Sequence, residues 1–183
     1  MLIKDEKRWG FTDHKGNIVI DLVYEEVYAF EDGKARVKKD DRWGMIDLKG
    51  NVAVPFEYDA IGAFMPDVNL ARVCRDGKFG AINKEFVLAI NMEFGYIHTF
   101  AAGLASAYDV NLKKGGFINT KGETIIPFVF DARSPSVFEF LPGGGTITDV
   151  CYKGKYFWIN SKGEGVLNTP PEYKEIIEIP NNQ

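Results

Sequence analysis

The chain alternates short apolar segments with polar turns along most of its length. In residues 40–59, the apolar segment Trp43–Ile46 is followed by the polar turn Asp47–Gly50 and by a second apolar segment, Val52–Val54. Short runs rich in β-branched and aromatic residues, bounded by Asp, Asn and Gly, are typical of β-strands. The pattern therefore predicts a β-hairpin in this stretch.

The same hairpin pattern recurs at a nearly constant spacing. Its opening dipeptides lie 34, 36, 36 and 41 residues apart, and they are Trp9-Gly10, Trp43-Gly44, Phe79-Gly80, Gly115-Gly116 and Tyr156-Phe157. A fixed period of about 20–50 residues indicates stacked structural repeats. The sequence therefore predicts one domain over residues 1–183, with units at approximately 5–39, 40–75, 76–111, 112–152 and 153–183.

A third short strand completes the predicted unit. It is clearest at Lys34–Val37, Leu70–Val73 and Leu104–Ala107. The predicted fold is all-β, a tandem array of about five three-stranded antiparallel units. Propeller blades usually have four strands over about 40–45 residues, so an open twisted array is favoured. A closed five-bladed propeller-like ring is the alternative, because the chain begins at a position equivalent to a third strand.

The turns have a physical explanation in Asp or Asn at their first position. Such a side chain can accept hydrogen bonds from backbone N–H groups of the turn, and a glycine at the fourth position can adopt positive φ. The first-position residues are Asp13, Asp47, Asn83, Asn119 and Asn160. In the third unit Phe86 replaces the glycine, and we expect a distorted or longer hairpin there.

The strand that carries the aromatic–glycine dipeptide is apolar on both faces, which predicts that it packs between neighbouring units. Trp43 is expected in that core, and Gly44 is expected where a neighbouring group approaches too closely for a Cβ atom. In the fifth unit Phe157 replaces this glycine. Because a terminal repeat need not meet a further neighbour, this change is typical of a cap.

These elements resemble a known repeat. The segments Arg42–Asp47, Lys49-Gly50, Val54-Pro55 and Tyr58-Asp59, with Phe30–Val37, are similar to the WG repeat, also called the KWG repeat, of bacterial proteins. The resemblance covers nearly the whole chain in about five degenerate copies. It implies a β-rich repeat that serves as a binding or accessory module, and it implies no shared catalytic residues.

Composition narrows the possible partners. The formal charge of −4 and the pI near 5.3 argue against a nucleic-acid surface, which requires clustered Lys and Arg. No leader pattern and no long uncharged apolar window occurs in the sequence, so we expect no membrane partner and a cytoplasmic location. Cys74 and Cys151 occupy equivalent positions two units apart, and they are expected to be free thiols of a reducing compartment.

The sequence predicts no catalytic, cofactor-binding or metal-binding residues. His14 and His98 have no second ligand at metal-binding spacing. The segment Gly143–Thr146 lacks the lysine of a phosphate-binding loop and is predicted to be a hairpin tip. Glu25, Asp59 and Asp131 recur at one position of the repeat and could in principle form an acid–base pair. Structural turn or capping roles are favoured for them, because a repeat places equivalent acids in a row.

The predicted function is therefore a non-catalytic binding module that engages a protein partner through its repeat surface. One specific alternative is an inhibitor or immunity protein for a basic toxin or nuclease. A second is binding to a glycan or cell wall, and a third, less favoured, is an enzyme with a repeat-derived acid cluster. Convergent acids in a deep cleft would favour the enzyme, and acids spaced along a row would favour the binding module.

Overall fold

The computed structural model describes residues 1–131, 137–141 and 145–173, and nineteen strands lie within them. They form five antiparallel sheets, each a simple meander. The first sheet contains β1 (Leu2–Lys4), β2 (Trp9–Thr12) and β3 (Ile18–Tyr24). The second contains β4 (Glu26–Val27), β5 (Lys34–Lys39), β6 (Arg42–Asp47) and β7 (Val52–Tyr58). The third contains β8 (Ala60–Met65), β9 (Leu70–Arg75), β10 (Lys78–Asn83) and β11 (Leu88–Phe94). The fourth contains β12 (Tyr96–Ile97), β13 (Leu104–Asp109), β14 (Lys114–Asn119) and β15 (Thr124–Asp131). The fifth contains β16 (Glu139–Phe140), β17 (Thr146–Tyr152), β18 (Lys155–Asn160) and β19 (Gly165–Leu167).

The all-β repeat array is confirmed, with a difference in strand count. The first sheet has three strands, and the other four sheets add a strand at one edge, which has two residues in β4, β12 and β16 and six in β8. In the second sheet this strand, β4, has only two residues and pairs Val27 with Val37. A two-residue strand is too short to show an alternation of apolar and polar residues. The sequence therefore predicts no strand at this position.

Each sheet is offset from the sequence repeat. Strand β5, the third strand of the first repeat, pairs with β6, the first strand of the second repeat, from Lys34–Asp47 to Lys39–Arg42. The same pairing joins β9 to β10 and β13 to β14. Because adjacent repeats share a sheet in this way, each unit of sequence depends on its neighbour for backbone hydrogen bonds as well as for apolar contacts.

The core consists of four apolar clusters between successive sheets. The cluster between the second and third sheets contains Met45, Val54, Ile61 and Val73, all nearly inaccessible to solvent. Within the described residues none of the four clusters joins the fifth sheet to the first. In the described part of the chain the sheets are therefore stacked as an open array, as the sequence favoured.

The glycine after the aromatic residue lies opposite a bulge. Trp43 pairs with Tyr58 and Met45 with Val54, so three residues of β7 face the single residue Gly44. A Cβ atom on Gly44 would lie 2.7 Å from the carbonyl oxygen of Val54 and 2.9 Å from the Phe56 ring. The predicted close approach is confirmed. Trp43 itself is half-buried against the cluster between the second and third sheets.

The fifth sheet is covered by the chain that follows it. A helical turn at residues 171–173 places Tyr173 in full burial, with its ring centroid 4.6 Å from that of Phe157. The Tyr173 hydroxyl donates a 3.0 Å hydrogen bond to the carbonyl oxygen of Gly163. Phe157 is therefore buried against both the fourth sheet and Tyr173, whereas the sequence predicted a fifth unit that meets no further neighbour.

One prediction about the turns is wrong. The hairpin at Asn83–Val87 is neither longer nor distorted, because Phe86 N–H donates to the Asn83 carbonyl at 2.9 Å, just as Gly50 N–H donates to Asp47 at 3.0 Å. Phe86 has φ of 62° and thus takes the conformation of the missing glycine. The predicted hairpin tip at Gly143–Thr146 lies half outside the described residues, which resume at Gly145.

Candidate functional site

The recurring acids act as caps for turns of the next sheet. Glu25 accepts hydrogen bonds from the backbone N–H groups of Asp40 and Asp41 at 3.0 and 3.1 Å, and from Arg8 at 3.0 Å. Asp59 accepts from the N–H of Asp76 at 2.6 Å and pairs with Arg42. These acids are spaced along the array and do not converge. The predicted capping role of these acids is confirmed.

The recurring acid at the end of the fourth sheet also caps a turn of the next sheet. Asp131 accepts hydrogen bonds from Lys114 Nζ at 2.7 Å and from Gly154 N–H at 2.9 Å. These bonds favour the ionised carboxylate, so they lower the pKa of Asp131 below its usual value. In the third unit Gly95 takes the place of the acid, and the turn there is instead capped by Asp109, which accepts from Asn111 and Leu112 N–H.

We expect Asp131→Asn to lower the free energy of unfolding by about 1 kcal/mol at pH 7, because the pair with Lys114 is partly exposed. A lowered folded-state pKa means that this contribution is fully present above the unfolded value of 3.8 and is lost as pH falls through the lower folded-state pKa. Urea denaturation at pH 7 and at about pH 3 should therefore show a smaller difference between the wild type and the variant at the lower pH. The exposed acid Asp67 provides the control, and a difference that is as large at low pH as at pH 7 would contradict this account.

The first-position turn residues all form the predicted hydrogen bonds. Asp47 Oδ1 accepts from the N–H groups of Lys49 and Asn51 at 2.8 and 2.9 Å. Equivalent bonds form at Asp13, Asn83, Asn119 and Asn160. The bond from the Asn51 side chain also lowers the pKa of Asp47. These residues are therefore occupied in maintaining the turns.

The histidines and cysteines are separated in the structure. His14 is exposed in the first hairpin turn, and His98 is exposed with its ring against Tyr96 at 4.6 Å. Cys74 and Cys151 are both buried and neither is in a disulfide, and burial raises the pKa of each thiol. Within residues 1–131, 137–141 and 145–173, no three His, Cys, Asp or Glu side chains converge as a metal site would. No helix in this described part is long and apolar enough to span a membrane.

A cleft lies between the second and third sheets, at the end of the array that carries the Asp/Asn turns. It has a volume of about 520 Å³. We call it the turn cleft and define it by its lining residues: Glu31, Asp32, Lys34, Phe64, Pro66, Asn69, Lys84 and Phe86. Three turns contribute these side chains, namely those before β5, between β8 and β9, and between β10 and β11.

Departures from the repeat converge on the turn cleft. Phe86 stands where the other four hairpin turns have glycine, and Lys84 stands where they have His14, Leu48, Thr120 and Ser161. The turn between Phe64 and Ala71 is two residues longer than its equivalents after Phe30 and Phe100. The sequence identified Phe86 as a departure from the repeat. It did not show that the other departures lie beside Phe86 in the structure.

The interior of the turn cleft is apolar and its charges are paired. The rings of Phe64 and Phe86 contact edge to face, with centroids 6.3 Å apart. Lys84 Nζ lies 2.7 Å from Asp32 Oδ2. This ion pair connects the second and third sheets through two residues that are 52 positions apart in the sequence. Lys34 Nζ lies 5.5 Å from the centroid of Phe86. The charged groups therefore form a rim around an aromatic floor.

Exposed apolar side chains occur at the same end of the second and third sheets. Four lie in or directly after the hairpin turns 47–51 and 83–87: Leu48, Val52, Val87 and Leu88, with 63%, 58%, 58% and 42% of their surface exposed. Exposed apolar residues are typical of binding surfaces where they form one patch. The sequence pattern placed Leu48 in a polar turn and Val52 at the start of a strand.

Comparison with known proteins identifies the repeat. The family model described as the WG containing repeat matches residues 9–43, 43–79 and 116–140, together slightly more than half of the chain. These matches fall in the first, second and fourth predicted units. The third and fifth units, in which Phe79 and Tyr156 replace tryptophan, are not matched. A comparison with curated protein sequences finds no match.

Several solved structures resemble the chain at low identity. Hsv2 from Kluyveromyces marxianus is 10% identical with a TM-score of 0.47, and the match covers 91% of this chain and 56% of that one. Hsv2 from Kluyveromyces lactis is 12% identical, with a TM-score of 0.45 and coverages of 90% and 57%. A protein of unknown function from Bacteroides caccae is 15% identical, with a TM-score of 0.34 and coverages of 93% and 72%. The chain thus spans little more than half the length of the two Hsv2 structures.

Proposed function

Because the chain belongs to the WG-containing repeat family, we propose that it is a non-catalytic binding module whose target is another protein. The binding surface in this proposal is the turn end of the second and third sheets. It comprises the turn cleft together with Leu48, Val52, Val87 and Leu88. A cytoplasmic location is part of the same proposal, and it is supported by two buried cysteines that are in no disulfide.

The turn cleft is the observation that carries this proposal. An apolar centre surrounded by a charged rim is typical of protein–protein interfaces. In such interfaces, a few buried aromatic side chains supply most of the binding energy. Phe64 and Phe86 provide the centre, and Asp32 and Lys84 provide part of the rim. The acids that could have supported an enzyme are instead bound to backbone N–H groups of turns.

A glycan target is less well supported by the same cleft. Sugars are held by hydrogen-bonding side chains whose polar atoms are available, and here Asp32 and Lys84 bind each other. An inhibitor of a basic toxin is one form that the proposed protein-binding function could take, given the formal charge of −4.

Affinity capture from the native host with mass spectrometry, followed by calorimetry with the purified partner, tests the proposal. We expect Val87→Asp to weaken binding at least about tenfold, because it places a charge on the apolar surface. Val166→Asp is the matched control, since Val166 is similarly exposed, at 54%, but lies in the fifth sheet. Equal loss of binding in both variants, or a partner that is not a protein, would contradict the proposal.

A further inference from the structure

We infer that the turn cleft binds an uncharged apolar or aromatic side chain, presented by a segment of the protein partner. This inference rests on the proposed function and names the chemistry that the surface recognises. It follows from the interior of the cleft, from the pairing of its charges, and from the conformation of Phe86.

The interior of the cleft favours an apolar occupant of limited size. Phe64, Phe86 and Pro66 present ring and methylene surfaces to a volume of about 520 Å³. Both phenylalanine side chains are only half-buried, so part of each ring faces the cleft. A side chain inserted there would cover these rings, and such burial is favourable in proportion to the apolar area removed from water.

The charges around the cleft disfavour a charged occupant. The lining residues include two acids and two lysines, so their formal charges cancel. Asp32 and Lys84 form an ion pair at 2.7 Å, Glu31 lies 3.9 Å from Arg36, and Lys34 faces the Phe86 ring. A carboxylate or ammonium group entering the cleft would lose hydration and would meet lining charges whose sum is zero, whereas an apolar side chain has no charge to dehydrate.

The backbone at Phe86 supports a role beyond turn formation. Its φ of 62° is unusual for a bulky residue and is readily available to glycine, which the four equivalent turns use. The equivalent glycines Gly50, Gly122 and Gly163 pack directly on an isoleucine of the preceding sheet. Here the large ring occupies that interface and forms one wall of the cleft. Strain of this sort is concentrated at functional sites.

Small probes test the inference without the partner. In ¹H–¹⁵N spectra of the full chain, N-acetyl-phenylalanine amide and N-acetyl-leucine amide should cause saturable shifts confined to residues 31–34, 64–70 and 83–88. The expected dissociation constants are on the order of millimolar. The N-acetyl amides of lysine and glutamate, and glucose, should cause no saturable shifts there.

Phe86→Gly is the decisive variant, because glycine suits the backbone at this position and the turn should keep its fold. It should weaken the binding of the apolar probes at least about fivefold, because it removes one aromatic wall of the cleft. Tyr156→Ala, which removes an exposed ring from the fifth sheet, should leave their binding unchanged. Stronger binding of a charged probe or of glucose, or shifts spread over the whole surface, would overturn the inference. A negative result here beside successful protein capture would leave the proposed function standing.

Discussion

Tyr173→Ala is expected to lower the free energy of unfolding of the fifth sheet by about 3–5 kcal/mol, the range for removing a large buried aromatic ring. Only 1% of Tyr173 is exposed, and its ring contacts those of Phe130, Tyr152 and Phe157. Because repeats contact mainly their neighbours, the loss should be local. Hydrogen exchange should show it as faster exchange in β17 and β18, with little change in the first sheet.

Tyr173→Phe separates the ring from its hydroxyl. This variant keeps the packing and removes only the hydrogen bond to the Gly163 carbonyl, so it should cost about 0.5–1.5 kcal/mol. Comparable losses in the two variants would mean that the hydrogen bond, and not the ring, holds the cap. No change in exchange after Tyr173→Ala would show that residues 171–173 do not stabilise the fifth sheet.

Gly80→Ala is expected to lower the free energy of unfolding by about 3 kcal/mol, the upper end of the usual cost of overpacking. A Cβ atom on Gly80 would lie 3.0 Å from the carbonyl carbon of Asn91 and closer still to the carbonyl oxygen of Ile90. Because these are backbone atoms of the paired strand β11, they cannot move aside without disturbing the bulge. Thermal unfolding should show a decrease of about 6–12 °C for a chain of this length.

Gly62→Ala is the control for this prediction. Gly62 lies in the same sheet, on β8, and a Cβ atom there would meet its nearest neighbour, the Arg72 carbonyl oxygen, at an ordinary 3.5 Å. Its substitution should leave stability unchanged or raise it slightly, because alanine restricts the unfolded chain. Equal destabilisation by the two variants would show that glycine is needed for backbone freedom, and not for the close approach opposite the bulge.

Much of the local structure could be predicted from the sequence, because its causes lie within a few residues. Asp47 bonds to N–H groups two and four residues ahead, so the turn is visible in four letters of sequence. The close approach at Gly44 follows from the absence of a side chain beside an aromatic residue in an apolar strand. Phe86 shows the limit of such rules, since the pattern indicated an altered turn and the structure retains the turn with a strained residue.

The sequence by itself determined the period, the strands, the turn hydrogen bonds and the capping role of the acids, since each depends on residue spacing that a repeat conserves. Only the tertiary structure decided the edge strands β4, β8, β12 and β16, the offset of the sheets from the repeat, and the turn cleft. The cleft depends on how the second and third sheets pack on each other, which brings Asp32 to Lys84 across 52 residues. That packing involves many side chains from both sheets, and no local pattern records it.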